Sequence, residues 1–286
     1  MSAVLQLPTH ASEPGAVTGR LKFLELSADE PKPNVFMPTP EDPVMRRSNT
    51  FSERQIRIHD ARELTETPRL DDFGFELHGH PTTVRDFTDD EEVRGVYYPE
   101  AEALLRARTG ATRVHFFDHT VRIEDAGTRA AGGRREPVHY VHNDYTEKSG
   151  PQRLTDLLPP DEAARWQPHR FAIINVWRSI AGPVETTPLA FADARSLEPT
   201  DLVATNLVYP DRTGEIYQVK FSDRQRWYYF SRARRDEAIL IKVYDSAIDG
   251  RARFNAHAAF VNEAANKGAA PRQSIELRAL VSFAPG

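Results

Sequence analysis

Three residues of the sequence could together hold one metal ion, namely His142, Asp144 and His257. In an extended strand, side chains two positions apart project from the same face, so His142 and Asp144 can reach the same ion. His257 comes much later in the chain, which leaves room for several strands that could bring it back to the pair. Two histidines and one carboxylate leave open coordination positions, as in non-heme iron(II) oxygenases. The plain alternative is a surface histidine beside a turn aspartate.

The other histidines fit this role less well. His169 follows Pro168 and precedes a predicted strand, so we interpret it as a surface loop residue. His115 and His119 come before the predicted metal strand, and we expect them to pack in a hairpin or in the core. His257 is therefore the histidine that we predict as the third ligand.

An arginine and a hydroxyl follow His257 at the start of the last predicted strand. Arg272 and Ser274 share a face there, and a guanidinium beside a hydroxyl suits a carboxylate, because its fork gives two parallel charge-assisted hydrogen bonds. The distal carboxylate of 2-oxoglutarate needs such a clamp. Arg278 is the rival, since it faces the same way on an unbroken strand. We predict Arg272 as the clamp and leave a solvated arginine as the alternative.

Further candidates for catalysis or substrate binding come from two other predicted strands. Asn175, Trp177 and Arg178 lie on one of them, and an arginine in a buried sheet is costly unless it is paired. We expect Asn175 or Arg178 near a carboxylate of the cosubstrate or the substrate. Tyr228 and Tyr229 belong to an aromatic cluster, and we expect one of them to line the substrate pocket, with core packing as the alternative.

Composition narrows the classes of protein. The chain has 286 residues, 40% of them hydrophobic, and a net charge of −5 without a strongly basic tract, which argues against nucleic-acid binding. It contains no cysteine, so a metal must be held by nitrogen and oxygen ligands. No stretch is long and apolar enough for a membrane span, and no leader is recognisable. We therefore expect a soluble, cytoplasmic protein.

The elements that must position these residues are predicted to be mainly β-strands, because short runs rich in Val, Ile, Tyr and Phe are separated by turn residues. Helices are predicted from Pro99 to about Gly110 and over 151–166, the latter split at Pro159 and Pro160. Strands are predicted at GRLKFLEL, RQIRIHDAR, RVHFF, TVRIE, VHYVH, FAIINVWRSI, PLAFAD, LVATNLVY, EIYQVKF, RWYYF, AILIKVYDS and IELRALVSF. This spacing favours a β-sandwich or barrel over alternating βαβ units.

The domain organisation follows from the same survey. Residues 1–18 are rich in Pro, Thr and Ala and are expected to be flexible. Residues 27–50 carry five prolines, which predicts an extended surface segment. We predict one domain over 19–286, with a wrapping part at 19–110 and a core at 111–284.

Over roughly residues 20–284, the sequence resembles a family of fungal and bacterial oxygenases. The family includes the small component of cephalosporin methoxylase, gibberellin desaturase-like proteins and hydroxylase/desaturases of the asperfuranone-cluster type. The resemblance is carried by HNDYTEKSG, INVWRSIAGPVETTPLAFAD, RWYYFSRARRDEAILIKVYDS, and HAAF followed by PRQSIELRALVSF. The run from Asn175 to Pro188 is the most specific of these.

The resemblance implies a double-stranded β-helix, that is, a cupin-like jelly roll with a few peripheral helices. It implies iron(II), 2-oxoglutarate and O2, with His142, Asp144 and His257 at the metal positions and Arg272 at the cosubstrate anchor. The function implied is a dioxygenase of secondary metabolism that hydroxylates or desaturates a small molecule. Two alternatives stay open: a metal-binding cupin-like hydrolase or isomerase, and a non-catalytic partner subunit of a modifying enzyme. The sequence also leaves open a homo-oligomer or a partner protein.

Overall fold

Short runs of β-branched and aromatic residues form strands along most of the chain. The computed structural model describes residues 15–26, 32–39, 42, 44–132 and 134–283. In this part of the chain the strands are β1 (Ala16–Glu25), β2 (Asn34–Phe36), β3 (Arg46–Arg47), β4 (Thr50–Asp60), β5 (Phe75–Gly79), β6 (Arg113–Ile123), β7 (His142–Asn143), β8 (Phe171–Ser179), β9 (Leu189–Ala192), β10 (Leu202–Val208), β11 (Thr213–Val219), β12 (Trp227–Tyr229), β13 (Glu237–Asp245), β14 (His257–Ala259) and β15 (Gln273–Ser282).

The main helical segment precedes β6. The side chain of Asp89 accepts hydrogen bonds from the backbone N–H groups of Glu91 and Glu92, which caps the start of the segment. Gly110 ends it in the left-handed conformation, at a φ of 73°. The predicted end is confirmed, whereas the start lies upstream of the predicted Pro99. The helices are α1 (Asp90–Glu92), a π-helical turn (Val93–Tyr97), α2 (Tyr98–Thr109), α3 (Ala126–Gly132), α4 (Ser149–Leu157) and α5 (Pro160–Trp166).

The strands form two sheets that face each other. One has ten strands in the order β1-β4-β12-β9-β14-β7-β11-β10-β2-β3, and the other has five in the order β5-β13-β8-β15-β6. The larger sheet curls, so that β1 also lies against β11. The mainly β jelly roll with peripheral helices, predicted from the sequence, is confirmed.

Three apolar clusters hold these layers together. The inner cluster lies between the two sheets and includes Trp177, Phe191 and Tyr228. A second cluster packs the outer face of the five-stranded sheet against α2, and a third fills the curl of the ten-stranded sheet. Each large apolar side chain buried in this way contributes about 1.5–3 kcal/mol. At one end of the space between the sheets, polar residues take the place of the inner cluster.

Some predicted elements have different bounds in the structure. RVHFF and TVRIE form one strand, β6, because β6 pairs with β15 along its whole length, with a β-bulge that lets the pairing continue. VHYVH contributes only the two residues of β7, and β5 and α3 were not predicted. The predicted extended segment contains β2 and β3, and its residues 27–31, 40–41 and 43 lie outside the described part. Of the predicted flexible N-terminus, 1–14 lies outside it and 16–18 belong to β1.

Candidate metal centre

The three predicted metal ligands meet between the two sheets. Strands β7 and β14 pair with His142 directly opposite His257, so both rings project from the same face, with their centroids 4.6 Å apart. Asp144 follows β7, and its Oδ1 lies 3.5 Å from Nε2 of His142. One potential ligand atom from each residue lies within 4.8 Å of the other two. The donor set is therefore two imidazoles and one carboxylate.

Backbone carbonyls fix the orientation of both imidazoles. Nδ1 of His142 lies 2.8 Å from the carbonyl oxygen of Tyr140, and Nδ1 of His257 lies 3.0 Å from that of Asn255. Since a carbonyl can only accept, each Nδ1 carries the proton and each Nε2 keeps a free lone pair. Burial also lowers the pKa of His257, with a further contribution from His142, which favours the neutral ring that a metal requires.

Two donors orient the carboxylate through one of its oxygens. Asn175 Nδ2 and Arg278 Nε donate to Oδ2 of Asp144 over 2.8 Å and 3.3 Å, which leaves Oδ1 directed at His142. Burial alone would raise the pKa of Asp144, but the charge of Arg278 outweighs it and holds the pKa well below its usual range. The carboxylate is therefore ionised and aligned before any ligand binds.

A pair of buried asparagines, which the sequence did not single out, ties the ligand-bearing segments together. Asn143 donates to the carbonyl oxygens of Tyr145 and Val243 over 2.6 Å and 2.9 Å, and its Oδ1 accepts from the backbone N–H of Asn255 over 3.1 Å. Asn255 donates in turn to the carbonyl oxygens of Ala192, over 2.7 Å, and Phe73. The only signal in the sequence was their position, next to or two residues before a predicted ligand.

Beside the ligands, the inner face of the five-stranded sheet is polar. Strands β6, β15 and β8 lie side by side, and residues directly opposite each other share a face. We call the resulting face the polar wall. Its three cross-strand rows are Asp118, Arg278 and Asn175; Thr120, Glu276 and Trp177; and Arg122, Ser274 and Ser179. The alternation of Asp118, Thr120 and Arg122 in β6 could have indicated such a face, but only the register with β15 places it here.

Arg278 donates four hydrogen bonds to groups of the chain. Besides Asp144, its guanidinium donates to Asp118 Oδ1 over 3.0 Å, to Thr120 Oγ1 over 3.1 Å and to Glu276 Oε1 over 2.6 Å. These carboxylates outweigh the cost of burial and raise the pKa of Arg278. Arg278 therefore acts as the internal counter-ion of the polar wall and of the metal centre.

Arg272 has a different environment. Its side chain is buried, with Nε donating to Ser274 Oγ and Nη1 to the carbonyl oxygen of Thr187, both over 3.0 Å. Among the described residues, no carboxylate oxygen lies within 4.0 Å of its guanidinium. Burial, together with the nearby charge of Arg122, lowers the pKa of Arg272 to about 9. Charge and burial thus favour an anion at this guanidinium.

Two buried polar atoms in the same region lack a partner within the described part of the chain, Nε1 of Trp177 and Oδ1 of Asn175. The indole ring of Trp177 lies under Arg272, with the guanidinium 5.1 Å from its centroid. A buried donor without an acceptor costs free energy unless a ligand or water satisfies it. The orphaned indole N–H therefore also favours a bound acceptor beside Arg272.

Arg178 does not join this group. It follows Trp177 in β8 and projects from the opposite face, where it donates to the hydroxyl of Tyr97 over 3.0 Å and to the carbonyl oxygens of His80 and Arg235 over 2.8 Å and 3.2 Å. Of the two alternatives, Asn175 lies in the polar wall, whereas Arg178 lies on the opposite face of the same strand. The alternation of side chains along a strand explains the difference.

The remaining candidates divide by face in the same way. Tyr228 lies opposite Phe191, which in turn lies opposite His257, so Tyr228 belongs to the inner cluster. Tyr229 projects from the other face and packs against Phe260, with ring centroids 5.7 Å apart. His169 is exposed, as predicted for a loop residue. Only Tyr228 of the two tyrosines can thus face the space between the sheets.

The chain is similar to known proteins over most of its length. A family model described as "YDMC: Oxidoreductase/YMDC permease-like domain" matches residues 21–282. The Fe(II)/2-oxoglutarate-dependent dioxygenase nvfI of Aspergillus novofumigatus (strain IBT 16806) is 32% identical over 272 residues, which cover 91% of this chain and 94% of that protein. The hydroxylase/desaturase CTB9 of Cercospora beticola is 34% identical over 259 residues, covering 83% of this chain and 78% of that protein.

A solved structure gives the same result for the fold. The iron and alpha-ketoglutarate-dependent endoperoxidase NvfI superposes with a TM-score of 0.84 and 28% sequence identity, covering 96% of this chain and 100% of that chain. Within the described ranges, no helix has the length and apolar character needed to cross a membrane.

Proposed function

Because the chain belongs to the family of iron(II)- and 2-oxoglutarate-dependent dioxygenases, we propose that His142, Asp144 and His257 hold its iron(II) and that Arg272 anchors its 2-oxoglutarate. The observation that carries the first assignment is the convergence of these three side chains within 4.8 Å. Two neutral imidazoles and one ionised carboxylate match the ligand preference of non-heme iron(II) and leave positions open for a chelating cosubstrate and O2.

The donor set fits the metal in detail. Each histidine donates its Nδ1 proton to a backbone carbonyl, which is the usual support of a metal-ligating imidazole. Asp144 is held through Oδ2 alone, so its Oδ1 is available as a ligand. Each protein ligand thus has its orientation fixed by a second group of the chain.

The surroundings of Arg272 fit the distal carboxylate of 2-oxoglutarate. A buried guanidinium without a carboxylate partner, beside a hydroxyl and an unpaired indole N–H, is a site for an anion with several oxygens to satisfy. Arg278, the rival anchor, already binds three carboxylates of the chain. We therefore assign anchoring to Arg272, with Ser274 and Trp177 beside it, and positioning of Asp144 to Arg278 and Asn175.

When bound, iron(II), 2-oxoglutarate and O2 supply the oxidation of a C–H bond, with 2-oxoglutarate converted to succinate and CO2. The residues of the chain bind these groups and orient them. The polar wall holds the charged groups, while aromatic residues of the inner cluster, Tyr228 among them, pack between the sheets. We propose a small molecule of secondary metabolism as substrate, oxidised by hydroxylation or desaturation. Action in the cytoplasm, and a homo-oligomer or a partner protein, stay predictions.

Succinate formation tests the proposal. Wild-type protein with iron(II), 2-oxoglutarate and O2 should form succinate, and omission of iron should abolish it. His257→Ala should form none, whereas His169→Ala, which removes an exposed histidine, should match the wild type. Succinate at the wild-type rate from His257→Ala, or from iron-free protein, would contradict the assignment. A candidate substrate is recognised by faster succinate release and a matching change in product mass.

A further inference from the structure

The polar wall contains a second arginine without a carboxylate partner, Arg122. It lies directly opposite Ser274 across β6 and β15, and its Nη1 donates to the backbone carbonyl oxygen of Glu136 over 2.9 Å. No carboxylate oxygen of the described residues lies within 4.0 Å of its guanidinium. Like Arg272, it is therefore a cation on the inner face with most of its donors unmatched.

The register brings the two arginines together. Arg272 precedes β15, its backbone carbonyl accepts from the N–H of Glu124, and its side chain turns back toward Ser274. Arg122 is the cross-strand partner of Ser274, and the hydroxyl of Ser274 accepts from Arg272, so the register places both arginines beside Ser274. Arg122 is the strongest charged neighbour of Arg272, and its charge lowers the pKa of Arg272.

The carboxylates of this region already bind other groups of the chain. Arg278 binds Asp144, Glu276 and Asp118. The oxygens of Glu124 accept from the hydroxyl groups of Thr186 and Thr187 and from the backbone N–H of Arg272. Two neighbouring positive charges repel each other. Glu276 acts favourably on both arginines, but no carboxylate oxygen of the described residues lies within 4.0 Å of either guanidinium. An anion between them would remove the repulsion and satisfy the unmatched donors.

We propose that Arg122 and Arg272 form one two-arginine site for the distal carboxylate of 2-oxoglutarate. The inference rests on the proposed function and extends it by a binding residue. Arg278 provides the contrast, because it lies on the same face and already donates to three carboxylates of the chain.

The test is calorimetric titration of iron(II)-loaded protein with 2-oxoglutarate under nitrogen. Arg122→Gln and Arg272→Gln should each weaken binding by about 10- to 100-fold, the loss expected for a charge-assisted contact. The double variant should lose less than the product of the two single losses, because both residues hold the same group. Arg135→Gln, which removes an exposed arginine adjacent to Arg122, should bind as the wild type does.

Titration with a second ligand distinguishes binding of the distal carboxylate from an effect on the fold or on the metal. 2-Oxobutyrate has the same chelating end and no distal carboxylate, so the two arginine variants should bind it as tightly as the wild type does. If Arg122→Gln does not fold, Arg122→Lys replaces it, and weaker binding of 2-oxoglutarate alone is again expected.

Three results would overturn the proposal. Unchanged affinity of the Arg122 variant for 2-oxoglutarate would leave Arg272 as the sole anchor. Equal weakening for both ligands would mean that Arg122 acts through the fold or the metal. Wild-type protein that binds neither ligand would refute the proposed function itself, which is a distinguishable outcome.

Discussion

Asp144 shows how much of the metal centre is decided by single contacts. Asn175 and Arg278 both donate to Oδ2, so the direction of Oδ1 depends on side chains from two strands of the facing sheet. Neither Asn175 nor Arg278 is itself a proposed ligand of the iron. Their expected effect is on affinity for the metal, as for other groups that orient a ligand.

Removal of the amide tests this role. Asn175→Ala should lower iron(II) affinity by about 10- to 100-fold, because the carboxylate loses one of the two contacts that fix it. The affinity is measured by competition with a chelator under nitrogen. Asn266→Ala removes an exposed amide and serves as the control. Equal affinities in the two variants would show that Arg278 alone suffices to orient Asp144.

At the scale of residues, neighbouring side chains could be predicted better when they lie on the same strand than when they come from different strands. His142 and Asp144 could be paired because residues two apart share a face. The same rule, applied to β8, separates Arg178 from Asn175 and Trp177 and so favours Asn175 of the two alternatives. The pairing of Arg122 with Ser274 could not be found in this way, because it depends on the register between β6 and β15.

At the scale of elements, a buried ion cluster closes the end of β13. Asp245 is inaccessible to solvent, and it accepts from Arg170 Nη2 over 2.6 Å and lies 3.1 Å from Lys242 Nζ. Lys242 is also buried and contacts Asp71. Burial would raise the pKa of Asp245, but Arg170 and Lys242 outweigh it and lower the pKa.

Asp245→Asn should therefore destabilise the fold in a pH-dependent manner. At pH 7 we expect the free energy of unfolding to fall by about 3–5 kcal/mol, because Lys242 stays buried with a weaker partner. A carboxyl whose folded pKa is lowered contributes stability above its unfolded pKa of about 3.9 and loses it as the pH falls through the folded value. In urea titrations, the difference from the wild type should shrink below about pH 4. A difference that is the same at both pH values would contradict this account.

Element types were predicted well where a segment is long and strongly patterned, as in β8, β13 and β15. Strand β6 was instead predicted as two strands, because a bulge opposite Arg278 and Ala279 changes the alternation that marks a strand. The early start of the main helix had a local signal in Asp89 and the acidic residues after it, which is typical of a capped N-terminus.

For the whole molecule, the N-terminal strands belong to the same layers as the later ones. β4 pairs with both β1 and β12, and β5 pairs with β13, so each sheet combines early and late parts of the chain. Four residues of β1 and β4 fill the third apolar cluster, namely Leu21, Phe23, Ile56 and Ile58. These contacts support the prediction of one domain over 19–286, which the sequence alone could base only on length and strand spacing.

A shortened chain tests that prediction. Protein beginning at residue 111 should not unfold cooperatively, because it lacks the side chains that complete the third cluster, each worth about 1.5–3 kcal/mol. The measurement is thermal unfolding followed by near-ultraviolet circular dichroism, with the full chain as reference. A cooperative transition in the shortened chain would show that the core at 111–284 folds by itself.

The central claim is that His142, Asp144 and His257 form one iron site, and its most direct test is equilibrium dialysis against iron(II) under nitrogen. The wild type and His169→Ala should each retain about one iron per chain, since the exposed histidine takes no part. His142→Ala and His257→Ala should retain little iron while they keep the circular dichroism spectrum of the wild type, because a site with three protein ligands loses most of its affinity with any one of them. Iron bound at the wild-type level by a folded His257→Ala variant would contradict the account.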